Sequence, residues 1–111
     1  MLRHLGIVAA IAVAAYLVVC ALLYLGQREL LYFPQATRVA PAQTDFVLQR
    51  SPALSLRGWR VNPGRDKVLL YFGGNAEDLR QARAQLGPLL PDYSVYLLAY
   101  RGYGASDGAP N

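Results

Sequence analysis

KVLLYFGGNAEDLRQARA, residues 67–84, places a short apolar run, a Gly-Gly pair and a segment with helical spacing of apolar residues next to one another. The unbroken apolar run at residues 68–72 predicts a strand that is covered on both faces. A helix is predicted to begin near Ala76, with Leu79 and Leu86 on its apolar side. Because a strand that turns into a helix through glycines points backbone N–H groups toward one place, this turn is a candidate site for a negative charge.

The segment that follows completes a strand–helix–strand unit. Glu77 and Asp78 are expected in the first helical turn, where the positive end of the helix dipole favours negative charge. Gly87-Pro88 is predicted to end the regular helix. Residues 95–100, VYLLAY, are a second apolar run and predict a second strand covered on both faces. Apolar strands on both sides of one helix predict a βαβ unit with parallel strands and a right-handed crossover.

Two further strands are predicted before this unit. Residues 45–50 and 54–61 alternate between apolar and polar side chains and are separated by Ser51-Pro52, so they should pair as an antiparallel hairpin. The alternation changes phase at Gly58, which predicts a β-bulge there. Together these elements predict an α/β fold with half of a doubly wound sheet. Since one helix cannot cover both faces of that sheet, we expect a bare sheet face and a longer parent protein.

The amino-terminal part of the chain has the composition of a membrane anchor. Residues 5–25, LGIVAAIAVAAYLVVCALLYL, carry no charge and as a helix would span about 30 Å, roughly one bilayer core. The rest of the chain is too short to enclose a helix that is apolar on every side. A cleaved signal peptide would have a shorter apolar run followed by a small-x-small site. We therefore predict an uncleaved anchor at 1–27 that binds the lipid bilayer through residues 5–25, a juxtamembrane linker at 28–43 and a domain at 44–111.

Charge and cysteine content exclude several kinds of site. The chain has 11 Lys and Arg residues, 7 acidic residues and a formal net charge of +4. The basic residues are scattered, so no nucleic-acid interface is predicted. Cys20 is the single cysteine and lies in the apolar run, which leaves no internal disulfide and no cysteine-based metal site. No metal and no cofactor are predicted, and the basic residues that flank the apolar run favour neither membrane orientation.

Gly73-Gly74-Asn75-Ala76-Glu77 is the first motif that could carry chemistry. The N–H groups after such a glycine turn can bind a phosphate, or the oxyanion that forms when a nucleophile attacks a carbonyl. The spacing does not match G-x-G-x-x-G and no P-loop Lys-Ser/Thr pair follows, so nucleotide binding is disfavoured. Tight strand-to-helix turns also use glycine without any binding role, so the motif alone leaves both interpretations open.

The second motif, GASDG at residues 104–108, matches the nucleophile pattern G-x-S-x-G letter for letter. A nucleophile elbow requires a strand that runs into the first glycine and a helix that leaves from the serine. Residues 101–103 separate the strand from the motif, and Pro110 follows too closely for a helix to grow from Ser106. The single histidine, His4, precedes the apolar run, so no Ser-His-acid triad is expected within this chain.

Several segments, in their order along the chain, resemble a known family. LLYFP, VLLYFGGNAEDL and VYLLAYRGYGASDGAP resemble the membrane-anchored α/β-hydrolases of the serine aminopeptidase-like group, over residues 28–111. The resemblance implies the amino-terminal half of an α/β-hydrolase sheet, with oxyanion-hole N–H groups at Asn75 and Ala76. It also implies a serine hydrolase that acts on a small acyl substrate (an ester, thioester or amide), whose nucleophile, acid and histidine lie beyond Asn111.

The resemblance has one departure and leaves one alternative. Gly73 stands where the family usually has a histidine that braces the loop. In the family the R-G-Y-G-x-S segment borders the active site without supplying the nucleophile, and the usual location is a bacterial inner membrane with the domain outside the cytoplasm. The alternative hypothesis is a non-catalytic single-pass membrane protein with a truncated interaction domain, because the expected bare sheet face would expose apolar surface.

Overall fold

The computed structural model of the chain describes residues 1–110, which fall into two compact units. The first unit, Met1–Leu31, is one helix, α1, that spans Leu2–Leu31 and has no buried residue. By its length and composition α1 could cross a membrane. The helix stops before Phe33, since a residue that precedes a proline avoids helical angles and Phe33 has φ −120° and ψ 56°.

The second unit begins at Tyr32, and its described residues form a four-stranded sheet with an α-helix. Its elements in chain order are the 3-10 turns Pro34–Thr37 and Pro41–Gln43, strands β1 (Phe46–Ser51), β2 (Leu54–Val61) and β3 (Lys67–Phe72), helix α2 (Leu79–Leu89) and strand β4 (Tyr93–Leu98). The strand order is β1-β2-β4-β3. β2 pairs antiparallel with β1 and with β4, whereas β3 and β4 are parallel. The predicted hairpin and the predicted parallel pair are therefore confirmed.

Gly58 does not form the predicted bulge. It pairs in regular register with Leu98 of β4, and the irregularity of the hairpin lies between Gln49 and Ser51. A Cβ atom at position 58 would overlap the carbonyl oxygen of Leu97. The glycine is therefore explained by close approach of two strand backbones, a second common reason for glycine in a strand.

The core lies between the sheet and α2. Its buried residues come from β2, α2, β4 and the loop after β4: Trp59, Leu79, Ala82, Val95, Leu97, Ala99 and Tyr103. Val95 and Leu97 of β4 are fully inaccessible to solvent. Burial of each such side chain stabilises the fold by about 1.5–3 kcal/mol. Strand β4 therefore contributes strongly to the stability of the core.

The opposite face of the sheet is bare at β3. Val68, Leu70 and Phe72 are exposed by 60%, 64% and 48%. The prediction that β3 is covered on both faces is therefore wrong for this chain, because β3 is an edge strand with one uncovered face in the described residues. The bare apolar face expected from the shortage of helices is present at this position.

Helix α2 begins later than its apolar pattern predicts. Ala76 has a left-handed φ of 64°, which is incompatible with an α-helix, and the helix starts at Leu79. Asp78 is its N-cap: Oδ1 accepts from the N–H of Arg80 at 3.0 Å. The same Arg80 side chain binds the carboxylate and lowers the pKa of Asp78. Asp78 therefore stabilises the helix start as a cap rather than within the first turn.

The helix also continues past its predicted end. Gly87 and Pro88 both lie inside α2, which runs to Leu89. Pro88 lacks an N–H and therefore removes one helical hydrogen bond, the one that the N–H at this position would donate four residues back. The side-chain amide of Asn62 donates to the carbonyls of Gly87 and Leu90, each at 2.9 Å. Asn62 thereby satisfies carbonyl groups that the helix end leaves without partners.

Residues 34–43 are hydrogen bonded to the rest of the second unit. Thr37 is buried, and its Oγ1 accepts from the N–H of Gly104 at 3.1 Å. The indole N–H of Trp59 donates to the carbonyl of Gln43 at 2.7 Å. These contacts fix the segment that precedes β1 against the loop after β4 and against the core.

Candidate functional site

The first loop, defined as residues 73–78 between β3 and α2, contains a tight turn. The N–H of Glu77 donates to the carbonyl of Gly74 at 3.1 Å and closes a four-residue β-turn around Asn75 and Ala76. Ala76 is the third residue of this turn and has φ 64°. Glycine is favoured at that position in turns with a positive φ there, and an L-residue pays about 1–2 kcal/mol for it. The two residues predicted as oxyanion donors are therefore the two central residues of a strained turn.

Glu77 binds back onto this loop instead of lying in the helix as predicted. Its Oε2 accepts from the N–H of Gly74 at 2.7 Å, and its Oε1 accepts from the hydroxyl of Tyr71 on β3 at 2.7 Å. The hydrogen bond to Glu77 raises the pKa of Tyr71 above its ordinary value of 10.0, with smaller contributions from burial and from the carboxylate charge. The N–H of Gly74 is consequently engaged by the chain itself.

Gly73 is surrounded by side chains of the same loop and of α2. A Cβ atom at position 73 would lie 2.8 Å from Cδ2 of Leu79, a buried core residue, and 3.5 Å from Oε2 of Glu77. A side chain at position 73 would therefore clash with Leu79, whereas Glu77 would lie in ordinary contact with it. The packing of Leu79 against this position explains why a glycine stands there.

Asn75 joins the first loop to two other segments of the second unit. Its Oδ1 accepts from the hydroxyl of Tyr103 at 2.7 Å and from the N–H of Phe33 at 3.4 Å. The sequence identified Asn75 only for its backbone N–H, so this role of the side chain was missed. The signal that could have found it is the tyrosine in RGYG, a polar ring in a loop that follows the neighbouring parallel strand.

The second loop, defined as residues 99–108, contains the GASDG segment. Ser106 is 1% exposed. Its Oγ donates to the carbonyl of Ala99 at 2.8 Å and accepts from the N–H of Arg57 at 2.8 Å. A buried hydroxyl with both a donor and an acceptor partner is inaccessible to a substrate carbonyl. Ser106 therefore has a structural position, in agreement with the prediction that it is not a nucleophile.

Asp107 extends the same attachment to β2. Its carboxylate accepts from the N–H of Ser55 at 2.9 Å and from the guanidinium of Arg57 at 2.6 Å. Its N–H also donates to the carbonyl of Ser55 at 2.9 Å. The Arg57 hydrogen bond, followed by that from Ser55, holds the pKa of Asp107 below its ordinary value of 3.8. Ser106 and Asp107 together anchor the second loop to the middle of the sheet.

The two loops border an open pocket of about 420 Å³. It is lined by Tyr32, Gly73, Gly74, Asn75, Tyr100, Arg101, Tyr103 and Pro110. The pocket lies past the carboxyl ends of the parallel strands β3 and β4, which is where open α/β sheets hold their ligands. Tyrosine rings, exposed loop backbone and one guanidinium can accommodate a small apolar group with a polar or negatively charged end.

No metal-binding cluster is present within residues 1–110: the described part of the chain holds no group of three or more His, Cys, Asp or Glu side chains that could bind a metal ion. Glu77 and Asp78 are adjacent, but Glu77 binds Tyr71 and Gly74 whereas Asp78 binds Arg80.

Comparison with known proteins gives three partial similarities. The chain is 36% identical over 120 aligned positions to an uncharacterized protein of Mycobacterium tuberculosis (strain CDC 1551 / Oshkosh), and equally to one of strain H37Rv, covering 98% of this chain and 42% of each relative. It is 28% identical over 107 positions to the alpha/beta hydrolase domain-containing protein WAV2 of Arabidopsis thaliana, covering 82% of this chain and 35% of that protein. No protein-family profile matches the chain, and no solved structure matches it significantly.

The similarities are informative about the kind of protein and about its length. The Arabidopsis relative supports a distant relationship to α/β-hydrolase-like proteins. The mixed sheet with a parallel pair around α2 is compatible with that relationship. The chain spans about two fifths of the length of the mycobacterial relatives.

Proposed function

We propose that this chain is the amino-terminal part of a membrane-anchored α/β-hydrolase that cleaves an ester, thioester or amide through an acyl-serine intermediate. The observation that carries the proposal is the first loop, whose turn residues Asn75 and Ala76 are exposed and whose Asn75 lines the pocket at the carboxyl ends of β3 and β4. The printed name of the Arabidopsis relative supports the same class of protein.

In this proposal the first loop stabilises the oxyanion of the tetrahedral intermediate. The backbone N–H groups of Asn75 and Ala76 are the donors, and that of Ala76 has no acceptor among the described residues. Negative charge develops on the substrate carbonyl oxygen only as the nucleophile attacks, so these donors stabilise the transition state more than the ground state. Loss of one such donor typically costs about 3–4 kcal/mol of transition-state stabilisation.

The nucleophile, the acid and the histidine come from other segments of the longer protein. The single histidine of this sequence is His4, in α1. Ser106 is buried and hydrogen bonded on both sides. A parent protein with the length of the mycobacterial relatives would have room for the missing groups and for helices over the bare face of β3.

A fluorophosphonate probe, which reacts with activated serine, tests the proposal. The 111-residue chain and a longer natural version are treated side by side in detergent. We expect labelling of the longer version alone. Labelling of the short chain that disappears in Ser106→Ala would overturn the assignment of Ser106, and absence of labelling in both would overturn the hydrolase proposal.

The proposed location is a bacterial inner membrane, with residues 5–25 in the bilayer as a single pass and the second unit outside the cytoplasm. The length and apolar composition of α1 support the anchor. The flanking charges are balanced, so the side of the membrane depends on the resemblance alone.

The exposed apolar face of β3 favours a second candidate function, a non-catalytic membrane protein whose truncated domain binds a partner. Val68, Leu70 and Phe72 form a contiguous apolar strip on an edge strand, and such strips commonly mark interaction surfaces. This candidate predicts that the 111-residue chain is stable and monodisperse in detergent and that no longer version reacts with the probe. Aggregation of the short chain together with labelling of the longer version would exclude it.

A further inference from the structure

Gly74 and Glu77 are joined by two hydrogen bonds that run in opposite directions. The N–H of Gly74 donates to Oε2 of Glu77 at 2.7 Å, and the N–H of Glu77 donates to the carbonyl of Gly74 at 3.1 Å. The second carboxylate oxygen, Oε1, accepts from the hydroxyl of Tyr71 at 2.7 Å. One carboxylate therefore closes the turn on itself and fixes it to the last residues of β3.

From this arrangement we infer that Glu77 is the positioning residue of the proposed oxyanion loop; the inference rests on the proposed function. The peptide group between Asn75 and Ala76 is the central peptide of the turn, and it carries the N–H of Ala76. A flip of that peptide would release the positive φ of Ala76 and turn its N–H away. Because Gly74 and Glu77 are held at both ends of the turn, the flip is opposed and the donor keeps its direction.

The charge of Glu77 suits this role. Both of its oxygens accept from donors within the second unit, and among the described residues it forms no ion pair. Hydrogen bonds to an ionised carboxylate are shorter and stronger than those between neutral groups. The carboxylate lies beside Gly73, where its Oε2 would be in ordinary contact, at 3.5 Å, with a Cβ atom at that position. Glu77 thus holds the turn through its two hydrogen bonds, to the N–H of Gly74 and to the hydroxyl of Tyr71.

The same contact restricts what the loop binds. The N–H of Gly74 is engaged by Glu77, so it is not available to a ligand. A phosphate group that approached Gly74 would also meet the negative charge of the carboxylate. The loop therefore favours one singly charged oxygen at the Asn75–Ala76 side over a phosphate cradled by successive N–H groups.

Two measurements test the inference, each on wild type, Glu77→Ala, Glu77→Gln and the matched control Asp92→Asn, in which an exposed carboxylate outside the loop is lost. The first measurement is amide hydrogen exchange of the 111-residue chain in detergent, followed by mass spectrometry. We expect exchange in residues 73–78 to rise about tenfold in Glu77→Ala and less in Glu77→Gln, whose amide oxygen can still accept from Gly74, with no change in Asp92→Asn.

The second measurement is ester hydrolysis by the longer version. We expect kcat to fall about 10- to 100-fold in Glu77→Ala with KM within about twofold, since the loop acts in the transition state, and to recover partly in Glu77→Gln. Unchanged exchange at 73–78, or faster exchange with unchanged kcat, would overturn the positioning role. Absence of hydrolysis and of probe labelling in wild type would overturn the proposed function and with it this role, whereas unchanged exchange would overturn the role of Glu77 alone.

Discussion

The hydroxyl of Tyr103 donates a hydrogen bond to Oδ1 of Asn75 at 2.7 Å and joins two loops whose contacting residues are 28 positions apart in the sequence. Each loop follows one strand of the parallel pair β3 and β4. Because parallel strands end at the same edge of a sheet, their loops meet there, and this bond fixes the distance between them. The walls of the candidate pocket are therefore linked through this phenol–amide contact.

Replacement of Tyr103 by Phe should loosen this link without opening the core. The ring remains buried, but the hydrogen bond to Asn75 is lost, which we expect to lower the free energy of unfolding by about 0.5–1.5 kcal/mol. Chemical denaturation of the 111-residue chain in detergent measures this change in the free energy of unfolding. Tyr100→Phe is the matched control, since Tyr100 is half-exposed and makes ring contacts with Phe72 and Tyr103 rather than a side-chain hydrogen bond. Equal stability losses in both variants would contradict the expectation.

The sequence predicted the strands and their pairing better than it predicted the loops. Apolar runs and the helical spacing after Gly74 depend on local pattern, so the hairpin, α2 and β4 could be foreseen. The bounds of α2 could not, because Ala76 has a positive φ and Glu77 folds back on Gly74, so that neither residue lies in the helix. The spacing Gly-x-x-Glu, like that of a capping box, was the one local signal for this contact.

The hydrogen-bond partners of Ser106 could not be predicted from the sequence either. The GASDG letters indicate a nucleophile, and the surrounding strand, the following proline and the position of the single histidine argue against it. The partners that fix its position are Arg57 of β2 and Ala99, the first residue of the same loop, and the proximity of Arg57 follows from the pairing of β2 with β4. Contacts between loops and non-adjacent strands require the three-dimensional pairing, which a single sequence does not contain.

Replacement of Ser106 by Ala should therefore affect stability and leave probe reactivity unchanged. The N–H of Arg57 and the carbonyl of Ala99 would each lose a partner in a buried position, at a cost of about 1–3 kcal/mol. We expect a lower denaturation midpoint for the 111-residue chain and unaltered fluorophosphonate labelling of the longer version. Ser51→Ala, at an exposed position in β1, serves as the control. Loss of labelling with an intact midpoint would identify Ser106 as the reactive serine.

Replacement of Ala76 by Gly should stabilise the turn. Glycine adopts φ 64° without the steric cost that alanine bears, although it also increases the entropy of the unfolded chain. The net gain should be up to about 1 kcal/mol in the free energy of unfolding. Ala84→Gly, on the exposed side of α2, should instead cost about 1 kcal/mol. The same sign for both variants would show that the positive φ at position 76 carries no strain.

The ion pair between Asp107 and Arg57 should make stability depend on pH in the acidic range. The folded-state pKa of Asp107 lies below the ordinary 3.8, so its contribution is present above that value and is lost as the pH falls through the folded-state pKa. The stability difference between wild type and Asp107→Asn should therefore be constant near neutrality and shrink as the pH falls below 3.8. Denaturation midpoints of both proteins between pH 7 and about 2.5 measure this stability difference. A difference that does not shrink at low pH would show that it does not arise from the charge of the Asp107 carboxylate.

The proposed side of the membrane can be read from the reactivity of a new cysteine. Cys20 is the single native cysteine and lies within residues 5–25, so Cys20→Ser gives a chain without thiols. Adding Asp92→Cys to this variant places one thiol in an exposed turn before β4. In a bacterial host with a permeabilised outer membrane, a membrane-impermeant maleimide should label this thiol in intact cells as completely as after lysis, and should leave the Cys20→Ser chain unlabelled. Labelling only after lysis would place the second unit in the cytoplasm and would reverse the proposed orientation, while the role of the first loop would be unaffected because it depends on contacts within the second unit alone.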